Sequence, residues 1–182
     1  MMTGTLLASL ISAEPKLDAY DPVHWQPRCG VQKVLMADKY HCGVSSLAMV
    51  TGLSYQEARE AFIRLGLGAR RKSKVAFSTV PAELLMAVMA QGLVVEQKSW
   101  KGWASFNGLG ILGVGDPWNY RKGRWHWVVA FRHPEFGAVV FDPWYELPAF
   151  ERNAPAGYHW SATAYQPRRP WLQVEQRFPL AL

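Results

Sequence analysis

The sequence is poor in cysteine, with only Cys29 and Cys42 in 182 residues. One disulfide would consume both, and the paired Cys-x₂₋₄-Cys spacing of a structural zinc site is absent, so neither staples nor a metal are expected to hold the fold. No apolar run approaches the ~20 residues that cross a bilayer. No Lys or Arg precedes the short apolar stretch from Leu6 to Ile11, as a secretory leader requires, so that stretch is read as folded sequence and a cytoplasmic compartment is expected. Internal repeats and Pro- or Gly-rich linkers are also missing, which excludes a repeat array and gives no sign of a domain boundary.

What is present fits one globular unit spanning 1–182. Hydrophobic residues make up 49% of the chain and charged residues 19%, and a chain of this length can bury roughly 70% of its unfolded surface. The net charge of +6, from 20 Lys plus Arg against 14 Asp plus Glu, biases the surface toward an acidic partner. It is no nucleic-acid signature, and nucleic-acid binding is not expected; a basic nucleic-acid binder is a third reading, which a salt-dependent shift on DNA or RNA would support.

Residues 1–39 read as an irregular segment, broken by Pro15, Pro22 and Pro27. A helical half follows over 42–92. Val44, Leu47, Ala48 and Thr51 recur at helical spacing from Cys42, and Gly52 supplies a stop. Ser54 to Glu57 fits a capping box ahead of the stripe Tyr55, Ala58, Phe62 and Leu65. A third helix is expected from about Val80, with Pro81 in its first turn, to Gly92. The half over 108–182 reads as strands: Gly110 to Val114, Trp125 to Phe131, Gly137 to Phe141 and Trp171 to Glu175. Helices followed by strands predict an α+β fold with the N-terminal helices packed on an antiparallel sheet.

Cys42 opens the first helix, where free N–H groups and the positive dipole end favour a thiolate. Nucleophilic catalysis then needs an imidazole and a group to orient it. A hairpin loop over Arg132 to Phe136, with Phe131 opposite Gly137, places His126 opposite Asp142. It also pairs Val128 with Val140 and Ala130 with Ala138, so the face bearing the polar pair is small and apolar and is expected to dock on the Cys42 helix. Gly108 to Gly113 matches G-x-G-x-x-G formally. Gly115-Asp116-Pro117 closes that segment before a helix can start, so it is read as a buried strand whose glycines admit Trp rings, and no nucleotide cofactor is expected. His41 beside Cys42 invites a metal reading that the spacings do not support; His24, His41, His133 and His159 are taken as surface or structural residues.

The run Asp38 to Tyr55 around Cys42-Gly43, followed by His126-Trp127-Val128-Val129 and Phe141-Asp142-Pro143, resembles the papain-like cysteine peptidases, closest to the peptidase domains of bacteriocin-processing transporters and their stand-alone relatives. The resemblance covers about Asp38 to Trp144 and keeps the order Cys, His, Asp. It implies a papain-like fold and a hydrolase of amide, peptide or isopeptide bonds in a protein or peptide substrate. Cys42 would be the nucleophile, His126 the general base and then acid, and Asp142 the orienting group, with no cofactor. One departure stands out: the family's oxyanion-binding Gln, six residues before the nucleophile, is Met36 here. Gln32 is the nearest upstream Gln and is expected to serve with the Cys42 N–H. The alternative is a catalytically inactive papain-like module that binds a protein partner.

Overall fold

The computed structural model describes residues 31–115, 125–153, 161–167 and 170–175. Cys29, His24, His159 and the stretch Leu6 to Ile11, singled out by sequence, lie outside these residues. Among the described residues three ten-residue helices come first: α1 (Cys42–Thr51), α2 (Tyr55–Arg64) and α3 (Pro81–Ala90). Each begins and ends where local chemistry directs. Gly52 caps α1 in the left-handed conformation (φ 75°), donating its N–H to the Ala48 carbonyl. Ser54 and Glu57 form the reciprocal capping box of α2. Pro81 occupies the first turn of α3, where its missing N–H costs nothing.

The strands are β1 (Val95–Lys98), β2 (Leu109–Gly115), β3 (Trp125–His133), β4 (Gly137–Phe141), β5 (Ala149–Phe150), β6 (Gln166–Pro167) and β7 (Trp171–Val174). They form one antiparallel sheet in the order β1-β7-β2-β3-β4-β5, with β6 paired to β2. The expected α+β architecture, helices first and an antiparallel sheet after, is the one observed.

The sheet separates two apolar clusters, and period-two alternation along β3 assigns each residue to one of them. Trp127, Val129 and Phe131 join Val139, Phe141 and the helix residues Val44, Leu47, Ala48, Phe62, Leu84 and Val88. Val128, Ala130, Ala138 and Val140 join Leu112, Val114, Phe106, Tyr165 and Trp171 on the other side. This corrects the expected docking: α1 lies against the face with the larger side chains, and the small apolar face packs with Trp100, Trp103 and Phe106 from before β2 and with Ala162, Tyr165 and Trp171 from after β5. Gly110 and Gly113 in β2 do admit indole rings. A Cβ on Gly110 would lie 2.5 Å from the Trp171 ring, and one on Gly113 3.1 Å from that of Trp127.

The β3–β4 hairpin corrects the expected register. His133, not Phe131, stands opposite Gly137, and Val129 opposite Phe141. The strand runs two residues further because His133 is buried and its Nδ1 accepts the N–H groups of Glu135 and Phe136, at 3.1 and 3.2 Å, closing a tight turn. A two-residue shift preserves which face each side chain takes. His126 and Asp142 therefore still share a face, as diagonal neighbours instead of directly opposed residues.

Candidate active site

Cys42 is the first residue of α1 and is buried, and the preceding His41 makes no side-chain cap to the helix. The His41 ring is engaged elsewhere: its Nδ1 hydrogen-bonds the Tyr55 hydroxyl and its ring centroid lies 4.4 Å from that of Phe77. Burial, with Asp38 opposing and Arg59 assisting, lowers its pKa. It is a structural histidine.

His126, second in β3, reaches Cys42 from the end of the sheet. Its Nε2 lies 2.6 Å from Asp142 Oδ1, which leaves the other ring nitrogen for the hydrogen bond it shares with Cys42. Burial alone would depress the imidazole; the Asp142 charge and hydrogen bond, with Cys42 adding to them, outweigh it and raise the His126 pKa to about 10. Asp142 is 2% exposed. Against the upward push of that burial, the positive imidazole, the Trp144 N–H (2.8 Å to Oδ1) and the Tyr165 hydroxyl (3.0 Å to Oδ2) hold its pKa below the usual carboxylate range. Three donors thus satisfy a buried carboxylate, as burial of a charge demands.

Cys42, His126 and Asp142 are brought together by the fold. Gln32 is exposed, and Met36, at the position where the resemblance expects Gln, packs partly buried against the helix-side core. Tyr165 and Lys33 escaped the sequence reading. Lys33 donates from Nζ to the main-chain carbonyls of Asp142 and Tyr145. Tyr165 is remote in sequence and carries no local pattern; only the Asp142-Pro143 turn, which brings the Trp144 N–H onto the carboxylate, was foreseeable from its turn chemistry. Exposed Trp125 and Trp144 flank the site in the chain, at 37% and 54% accessibility. A cleft of about 530 Å³ lies elsewhere, between β1, the 103–105 turn and Trp171, and none of the three site residues lines it. Among the described residues no three His, Cys, Asp or Glu side chains converge to hold a metal, and no helix is long and apolar enough to cross a membrane.

Three helices packed on an antiparallel sheet, with Cys42 at the N-terminus of the first helix, have the papain-like fold. Among solved structures the chain is similar to the double glycine motif protease from an AMS/PCAT transporter, determined in complex with the leader peptide, with a TM-score of 0.52 and 16% identity over 79% of this chain and 90% of that one. No family model and no curated protein matches the sequence.

Proposed function

We propose that the protein is a cysteine peptidase that cleaves a peptide or related amide bond through a Cys42 thioester. The observation that carries this reading is the chain of contacts from Cys42 through His126 to buried Asp142. In the proposed cycle the Cys42 thiolate attacks the scissile carbonyl carbon while the His126 imidazolium holds the proton. The oxyanion is met by the Cys42 N–H and, in this reading, by the exposed amide of Gln32. Collapse breaks the C–N bond, and His126 gives its proton to the leaving amine. Neutral His126 then takes a proton from water, hydroxide attacks the thioester, the C–S bond breaks, and the thiolate and imidazolium are restored. Asp142 keeps the ring oriented and stabilises the imidazolium without taking its proton.

The protease it resembles in fold was solved with a leader peptide and is named for a double-glycine motif. Peptides with a Gly-Gly junction are therefore the substrates to test first. The protein and its Cys42→Ala variant are incubated with such peptides and with Gly-to-Leu controls, and products are read by mass. Cleavage at the junction by the native protein alone is expected. No cleavage, together with Cys42 alkylation at the rate of an ordinary thiol, favours the partner-binding module, a reading to which Met36 in place of Gln lends support.

A further inference from the structure

The segment ahead of α1 runs along the turn that follows β4. The Met36 N–H donates to the Pro143 carbonyl at 2.9 Å, and three residues earlier the Lys33 ammonium donates to the carbonyls of Asp142 and Tyr145. The turn carries the Trp144 N–H bond to Asp142 Oδ1 at 2.8 Å and the Tyr145 N–H bond to the Asp142 carbonyl at 3.2 Å, while Pro143 has no N–H to add to them. Lys33 thus closes a turn whose first residue carries the carboxylate that meets His126.

We propose that Lys33 is a positioning residue: by holding the Asp142 and Tyr145 carbonyls it fixes the turn so that the Asp142 carboxylate stays on His126. The proposal rests on the reading of Cys42, His126 and Asp142 as catalytic. It makes the alignment depend on the charge of Lys33, since bonds from an ammonium are roughly twice as strong as those from a neutral donor. Burial pushes the Lys33 pKa down to about 8, while the two facing acids, Asp142 and Glu146, pull it up. The clamp therefore weakens within a pH range that can be titrated on the folded protein.

The test follows the ring ¹⁵N shifts of His126 with pH, and the rate of Cys42 alkylation by iodoacetamide at mildly acidic pH, in the native protein, Lys33→Arg and Lys33→Met. The native His126 shifts are expected to step near pH 8, where Lys33 loses its proton. That step is expected to vanish in Lys33→Arg, which stays charged. Lys33→Met is expected to slow alkylation about tenfold, in line with losing charge-assisted bonds. Native shifts with no step near pH 8, or Lys33→Met alkylated at the native rate, overturn the proposal while leaving the triad standing. If Lys33→Met misfolds, the native and Lys33→Arg titrations decide alone. A native His126 that titrates near 6.5 beside an ordinary thiol overturns the triad reading itself, and the Lys33 proposal with it.

Discussion

At the scale of single residues, the carboxylate of Asp142 governs the imidazole of His126, which shares a hydrogen bond with Cys42. Asp142→Asn keeps one oxygen, which can accept from Trp144 at the Oδ1 position or from Tyr165 at the Oδ2 position but not from both, and removes the charge that raises the His126 pKa. The His126 pKa then falls, because burial is the largest influence on it and the Asp142 charge no longer opposes that burial, so the imidazole loses its positive charge at neutral pH and Cys42 alkylation there is expected to slow. An alkylation-versus-pH profile identical to the native one contradicts this coupling. Tyr165→Phe is gentler. It removes one hydrogen bond to Asp142 Oδ2, one of the influences that lower the Asp142 pKa, so the carboxylate is expected to protonate at higher pH. The acid limb of peptide cleavage moves up correspondingly, at a stability cost of about 1 kcal/mol, and a pH–rate profile checks the direction.

At the scale of elements, the site depends on how closely β2 lies against its neighbours. Gly110→Ala would put a Cβ 2.5 Å from the Trp171 ring and 3.0 Å from the Leu172 carbonyl. The backbone atom cannot rotate away, so a loss of about 2 kcal/mol, or about 4–8 °C in Tm, is expected by thermal denaturation. Gly113→Ala meets only indole rings, the nearest atom at 3.1 Å on Trp127, and is expected to cost less. The reverse ranking would contradict the packing. The role of these glycines was legible because G-x-G-x-x-G ran into Gly115-Asp116-Pro117 with no helix to follow. The helices were legible for a similar reason: Gly52, the Ser54–Glu57 box and Pro81 each act within one turn. The hairpin was misjudged by two residues because Arg132 and His133 look like loop residues. In the fold, Arg132 pairs with Glu151 at 2.6 Å and His133 caps the turn, and both partnerships depend on three-dimensional context. β1, β5 and β6 were unreadable: β1 is the polar run Val95-Glu96-Gln97-Lys98, and the other two are two residues long.

At the scale of the whole molecule, the site joins two layers, since the thiol comes from a helix, the imidazole from β3 and the carboxylate from the turn that follows β4, and Lys33 ties in the segment before α1. The proton balance of folding should report that arrangement. In Cys42→Ala the thiol drops out of the count, yet His126 still faces Asp142, so its folded pKa stays raised above 6.5. Its stabilisation is complete below 6.5 and is lost as pH rises toward the folded pKa, because the native state keeps a proton that the unfolded state releases. Lys33 has the opposite sign. Its folded pKa of about 8 lies below the ordinary 10.5, so between these values the unfolded state keeps the proton and stability rises with pH. Each proton is worth about 1.4 kcal/mol per pH unit. Urea denaturation of Cys42→Ala is therefore expected to show stability falling above pH 6.5 and levelling off from about pH 8, where the two groups oppose. In Cys42→Ala combined with Lys33→Met the fall continues without levelling. Parallel curves for the two proteins would show that the Lys33 ammonium is not held out of water beside Asp142.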